Sequence, residues 1–225
     1  RTVDFLSDLH LQASEPHTLA AWRHYLQTTH ADALFILGDL FEVWVGDAAL
    51  DDPGSFESQA CALLQAASRQ RALFFLHGNR DFLIGPGFAR RTGATLLHDP
   101  TVLVWQDQRL LLSHGDALCV DDVDYQRFRV QARSVEWQER FLAQPLAQRR
   151  AQARGIRAES EARKQSGAVY ADVDGPAAIA WLQAAQATTL IHGHTHRPAE
   201  HTLAPDVRRV VLSDWDAAAH PPRAD

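Results

Sequence analysis

Residues 72–82 read ALFFLHGNRDF. Five apolar residues run into His77 and Gly78, and the chain then delivers Asn79, Arg80 and Asp81 into a turn. A short apolar run closed by glycine and polar residues reads as a buried strand with a polar cluster at its carboxyl end. The same grammar recurs four times. VDFL precedes Ser7-Asp8-Leu9-His10, and ALFIL precedes Gly38-Asp39. RLLL precedes Ser113-His114-Gly115-Asp116, and TTLI precedes His192-Gly193-His194-Thr195-His196. Helical spacings fall between them, at Leu19, Trp22 and Leu26, then at Phe56, Ala60, Leu63 and Leu64. Such alternation predicts an α/β fold with sheets covered by helices. Ligands in open α/β sheets bind beyond the carboxyl ends of the strands, so the five clusters are expected on one rim.

The 225 residues suit one large domain, and 46% hydrophobic content supports a sizeable core. No apolar run reaches the roughly 20 residues that span a bilayer. The chain opens directly on a strand pattern without a signal peptide, and Cys61 and Cys119 form no CxxC pair. Both features lead us to expect a reducing cytoplasm and no structural disulfide. The net charge is −6, yet ten basic residues and four acidic ones lie between Arg127 and Lys164. That island, about +6, points to an anionic partner such as nucleotide phosphate, nucleic acid or a membrane surface. From Asp122 to Val173 the pattern becomes one long helical stretch, with Tyr125, Phe128, Trp137, Phe141 and Leu142 spaced among arginines, and reads as a helical insert.

The strand-end residues Asp8, His10, Asp39, Asn79, His114, His194 and His196 bring two carboxylates, one amide and four imidazoles together. This donor set suits Mn²⁺, Fe²⁺ or Zn²⁺, and the lack of thiolate argues against a closed structural zinc. Successive residues leaving a strand point to opposite faces, so Asp8 and His10 need a turn between them, and Gly193 is expected to provide the bend for His194 and His196. Two cations about 3.5–4 Å apart can bind phosphate oxygens and activate a water. Asp39, on a strand between the others, is the expected bridge.

The ordered clusters resemble the calcineurin-like metallophosphoesterases, whose pattern is DxH, GD, GNH, H and GHxH. That resemblance implies a four-layer αββα sandwich with a helical cap insert, one domain over residues 1–225 with the insert at 122–173. One metal would take Asp8, His10, Asp39 and His196; the other would take Asp39, Asn79, His114 and His194. The departure is Arg80, where most such enzymes carry histidine. A guanidinium cannot act as an acid at neutral pH, but it can clamp two phosphate oxygens. Loss of an acid is tolerable when the leaving group is itself a phosphate, so Arg80 points to a pyrophosphate bond.

The longer strings GDLFEVWVGD, HGNRDFLIG, HGDALCVDD and IHGHTHRP are similar to those of the UDP-2,3-diacylglucosamine pyrophosphohydrolases of the lipid A pathway. This resemblance implies hydrolysis to UMP and 2,3-diacylglucosamine 1-phosphate, two Mn²⁺, attack at the α-phosphorus, and a helical cap that holds acyl chains. Asn79, Arg80, His114 and His194 would serve catalysis. Asn79, Arg80, Asp122, Ser160, Lys164 and His194 would contact substrate. Lys164, the only lysine in the chain, reads equally as a solvated side chain, and Trp137 and Phe141 read equally as core or acyl groove. Asp116 and Asp121 are expected to orient their loop, and Glu42 and Trp44 to support the ligands. The implied location is the cytoplasmic face of the bacterial inner membrane, peripheral on an anionic leaflet, with no nucleic acid and no obligate protein partner. The resemblance implies a further strand after the region of Trp215, Pro221 and Pro222, which truncation or natural brevity would equally remove, and the absent initiator Met leads us to expect a longer gene product. The rival readings are a phosphodiesterase or phosphatase of soluble nucleotides, which needs no apolar insert, and a non-catalytic scaffold, which has no use for all seven ligands.

Overall fold

Each of the five apolar runs is a strand, and each belongs to one of two sheets. The first sheet holds β1 (Val3–Leu6), β2 (Ala33–Leu37), β3 (Ala72–Leu76) and β4 (Thr95–Leu97), parallel and in that order. The second holds β5 (Thr101–Trp105), β6 (Gln108–Leu112), β7 (Thr189–His192), β8 (Ala199–Ala204) and β9 (Val207–Val211) in the order β5-β6-β7-β9-β8. Here β6, β7 and β9 run parallel and the edge strands β5 and β8 antiparallel. The structure is a computed structural model that describes residues 2–165 and 171–223, with side chains described except at 159–165.

Side chains on a strand alternate between faces, and the core follows that parity. Phe35 and Leu37 of β2 meet Leu110 and Leu112 of β6 and Ile191 of β7 between the sheets. Leu34 and Ile36 of β2 turn the other way, onto Trp22 and Leu26 of α1 (Pro16–Thr28), Ala60 and Leu64 of α2 (Phe56–Ala67), and Phe88 of α3 (Pro86–Thr92). Strands apolar on both faces are therefore what the near-continuous runs encode. The outer face of the second sheet uses Leu111 and Leu190, packed on one further helix over Gly175–Ala185 that brings Ala178 and Leu182. The layers read helix, sheet, sheet, helix, as expected.

The insert lies between β6 and β7 as three helices instead of one stretch: α4 (Val123–Ala132), α5 (Val135–Leu142) and α6 (Leu146–Gln165). The helix that follows it, over Gly175–Ala185, is α7. The breaks have local causes. Ser134 Oγ accepts from the Trp137 N–H at 3.3 Å, starting α5, and Pro145 opens α6 by accepting from the Gln148 and Arg149 N–H groups. A side-chain oxygen at that position satisfies a backbone donor that the helix leaves free. The antiparallel hairpin of β5 and β6 also escaped the periodicity reading. Its turn residues Gln106 and Asp107 both have positive φ, 48° and 66°, the type I′ geometry usually announced by Asn-Gly. Among the described residues no helix is long and apolar enough to cross a membrane.

Candidate metal centre

All seven strand-end residues meet at the carboxyl ends of β1, β2, β3, β6 and β7. Five of them, Asp8, His10, Asp39, His194 and His196, have positive φ between 48° and 68°. Side chains pay about 1 kcal/mol or more for such conformations, which persist only where the surroundings over-determine them. The surroundings do so here. The Asp8 N–H donates to Gly38 O at 3.1 Å, the His10 N–H to Asp39 O at 3.0 Å, and the His194 N–H to Asp8 Oδ2 at 2.8 Å. The bend expected of Gly193 is thus made by the histidines themselves. Gly193 instead permits a close approach, because a Cβ there would overlap Asp8 Oδ2 and Ser7 Oγ. Gly78 does the same beneath Asp39 Oδ1.

The side chains fall into two groups that share one oxygen. In the first, His196 Nε2 lies 3.2 Å from Asp8 Oδ1 and 3.3 Å from His10 Nε2. In the second, His114 Nε2 and His194 Nδ1 lie 2.9 and 2.8 Å from the same Asn79 Oδ1. Asp39 Oδ2 stands between, 3.9 Å from His10 Nε2 and 3.7 Å from His114 Nε2. Its other oxygen accepts the Arg80 N–H at 2.8 Å. Asp8, Asp39 and His114 are all but fully buried, at 0%, 2% and 0% exposure.

This arrangement fits a divalent cation. A carboxylate only accepts, so the His10 Nδ1–H donates to Glu42 Oε2 at 2.8 Å, which leaves Nε2 as a bare lone pair. That lone pair faces His196 Nε2 and the oxygens of Asp8 and Asp39. Ligand atoms of Asp8, His10 and His196, and likewise of Asp8, Asp39 and His114, lie within 4.8 Å of one another. Without a cation the negative charge distorts the histidines. Burial pulls the His114 pKa down, but Asp39, Asp8 and Asp116 outweigh it and carry the group up to about 9. Burial and His114 push His194 down to about 4. Burial would raise Asp8, yet its hydrogen bond to His196 and the charges of His114, His196 and His10 hold it below the usual carboxylate range.

Several supporting residues were not assigned these tasks by the sequence. Asp81, buried, accepts the Gly78 N–H at 2.9 Å and the Leu40 N–H at 2.8 Å, stitching the loops after β2 and β3 together. Asp116 orients its loop as expected and also roots α4, accepting from Tyr125 Oη, from Arg129 Nε at 2.8 Å and from Arg133 Nη2 at 3.4 Å. The Tyr125 ring stacks on His194 with centroids 6.0 Å apart. Arg157 of α6 contacts Glu42, and its signal in the sequence was only one more arginine in a basic island.

A cleft beside the rim is lined by the polar residues Glu42, Asn79, Arg80 and Arg157 and by the apolar residues Phe82, Phe128, Trp137, Phe141 and Ile156. Trp137 and Phe141 stack on each other, pack against the core and line this cleft. Asp122 caps α4, its Oδ1 accepting the Tyr125 N–H at 3.1 Å. Asp121 is exposed. Ser160 and Lys164 lie on α6, but their side chains are outside the described residues. Trp44 Nε1 donates to Asp47 and so supports the α3 loop, not a ligand.

The calcineurin-like phosphoesterase family model matches residues 1–198. The UDP-2,3-diacylglucosamine hydrolase of Chromobacterium violaceum is 47% identical over 222 residues, covering 95% of this chain and 90% of its own. Those of Chromohalobacter salexigens and Escherichia coli O7:K1 are 43% and 44% identical, covering 95% and 94% of this chain and 89% and 90% of theirs. By its strand-end donors, its sandwich of sheets and these identities, the chain belongs to the calcineurin-like phosphoesterases and, among them, to the family of the UDP-2,3-diacylglucosamine hydrolases.

Proposed function

We propose that the protein hydrolyses the pyrophosphate bond of UDP-2,3-diacylglucosamine to UMP and 2,3-diacylglucosamine 1-phosphate, a step of lipid A biosynthesis, with attack at the α-phosphorus. The observation that supports this reading is the cleft, whose lining is of two kinds: polar, from Asn79, Arg80, Arg157 and Glu42, and apolar, from Phe82, Phe128, Trp137, Phe141 and Ile156. An amphiphile with phosphate at one end and hydrocarbon at the other fits both kinds. A soluble nucleotide leaves the apolar lining without a purpose.

Asp8, His10, Asp39 and His196 would hold one cation and Asp39, Asn79, His114 and His194 a second, with Asp39 common to both sets. Imidazole and carboxylate donors suit Mn²⁺ as the native ion. When bound, the pair supplies Lewis acidity and lowers the pKa of the attacking water. The protein does the rest by holding the phosphates. Arg80 is fixed at both ends, its N–H on Asp39 and its guanidinium 3.6 Å from Glu42. Its Nε, 3.8 Å from Asp39 Oδ2, and Arg157 Nη1 are buried without a hydrogen-bond partner, two donors that a phosphate oxygen would satisfy. A phosphate leaving group needs no protonation by Arg80, and the guanidinium stabilises its charge by charge-assisted hydrogen bonds. Asn79 and His194 contact the phosphate beside their metal. Asp122, with Oδ1 committed to the cap, offers its second oxygen to the glucosamine; Ser160 and Lys164 complete the sugar and phosphate contacts from α6.

Residues 122–173 act as a cap that holds the acyl chains. Its surface exposes Val123, Val130, Val135 and Leu142 among arginines, which supports peripheral contact with an anionic leaflet on the cytoplasmic face, weakened by salt. Phosphorus NMR of products formed with Mn²⁺ in oxygen-18 water tests the reaction. Label in UMP is expected. Label in the sugar phosphate, or rapid cleavage of soluble diesters with none of the lipid nucleotide, overturns the assignment.

A further inference from the structure

Glu42 follows β2 on the loop that carries Asp39, and its N–H donates to Leu11 O at 3.2 Å, so its backbone is tied to the loop that carries His10. Its carboxylate is 18% exposed and its two oxygens face different partners. Oε2 accepts from His10 Nδ1 at 2.8 Å. Oε1 lies 3.6 Å from Arg80 Nη1 and contacts Arg157 Nη2 of α6. An exposed ion pair is worth about 0–1 kcal/mol and would need no further purpose. This carboxylate is different, because each of its partners has a second nitrogen not engaged by it. His10 keeps Nε2 among the metal-ligating side chains, while Arg80 Nε, 3.8 Å from Asp39 Oδ2, and Arg157 Nη1 are buried without a hydrogen-bond partner.

We propose that Glu42 is a positioning residue with one task per oxygen: Oε2 fixes the His10 ring for the metal, and Oε1 holds Arg80 and Arg157 side by side as a phosphate clamp. The inference rests on the metal-dependent reading above. The first task follows from imidazole chemistry. A carboxylate on Nδ1 fixes the tautomer, aims the ring and raises the basicity of Nε2. The second follows from charge. Two guanidinium groups reaching the same oxygen repel one another, and a carboxylate between them offsets that repulsion at the spacing phosphate oxygens require. Nor does α6 depend on Glu42 for its attachment, since Arg149 donates to Val45 O and Arg150 to Glu57 at 3.1 Å.

The test compares wild type, Glu42→Gln and Arg157→Ala. Metal-stripped protein is titrated with Mn²⁺ by calorimetry, and kcat and KM are measured at saturating Mn²⁺. Glu42→Gln is expected to bind the Mn²⁺ of the His10 group about 10–100-fold less tightly and to show a raised KM. Arg157→Ala is expected to raise KM while binding Mn²⁺ as wild type does. Wild-type Mn²⁺ affinity in Glu42→Gln overturns the first task, and an unchanged KM in it overturns the second. Weakened Mn²⁺ binding in Arg157→Ala overturns the division between the two oxygens. No Mn²⁺ binding by wild type overturns the metal reading and this inference with it. If Glu42→Gln unfolds well below wild type, Glu42→Asp, which keeps the charge but withdraws it by one methylene, carries the same expectations.

Discussion

The metal rim and the helical insert are built on opposite principles. On the rim, Asp8, Asp39 and His114 are buried and their positions are set by backbone hydrogen bonds at the ends of paired strands. The insert is attached chiefly through side chains: Tyr125, Arg129 and Arg133 on Asp116, and Arg149, Arg150 and Arg157 on Val45, Glu57 and Glu42. It also keeps valines on its surface, Val130 and Val135 each 72% exposed. Geometry that must be accurate to fractions of an ångström sits on the backbone-anchored part, and the proposed selection of substrate would fall to the part held by side chains.

Breaking the rim should have the largest effect. Asp39→Asn removes the negative charge of the shared oxygen, and turnover should fall beyond the ~100-fold that outer-sphere changes typically cost. Metal content by mass spectrometry should fall with it; full metal with full activity would end the two-cation reading. Arg80→Ala leaves the ligands in place, so kcat should drop by roughly 10²–10³-fold, as for loss of a charge-stabilising donor, with metal content unchanged.

The root of the insert comes next. Burial alone would raise the Asp116 carboxyl, but His114, Arg133 and Arg129 more than offset that and hold it below the usual range. A depressed folded-state pKa contributes stability above the unfolded value of 3.8, and that contribution is lost as pH falls through the folded value. Asp116→Asn should therefore cost about 2–4 kcal/mol near pH 7, since a buried anion with three partners is replaced by an amide. Hydrogen exchange should show α4 loosening, and the deficit relative to wild type should shrink only below the ordinary carboxylate range. An equal deficit at every pH would mean that packing, not charge, roots the helix.

The smallest effect should come from the cleft wall. Ile156, 41% exposed, should tolerate serine within about 0.5 kcal/mol of wild-type stability. Ile156→Ser should raise KM for the diacylated substrate by a few-fold and leave cleavage of a soluble diester unchanged. An equal change on both substrates would detach the apolar wall from lipid recognition.

Most of the rim was legible in the chain because a strand that ends in a polar cluster advertises both its burial and its chemistry within ten residues. The five runs and the seven donors needed nothing more, whereas the departure at Arg80 stood out only against the pattern of the family the chain resembles. The hairpin of β5 and β6 was not legible, since Gln106 and Asp107 carry no turn signature strong enough to stand out. Nor were the breaks in the insert, where Ser134 and Pro145 interrupt a pattern whose helical periodicity continues on either side.

What the amino-acid order determined by itself was local: which segments are apolar enough to be buried strands, and which side chains follow them. Tertiary structure alone decided which partners those side chains meet. That His10 Nδ1 hydrogen-bonds Glu42, that Arg157 reaches across 115 positions to the same carboxylate, and that Gly193 yields space to Asp8 are facts about groups far apart in sequence. Hydropathy and propensity act over a turn or a strand, whereas contacts between chain ends of different elements exist only once the sheets have paired and the core has excluded water.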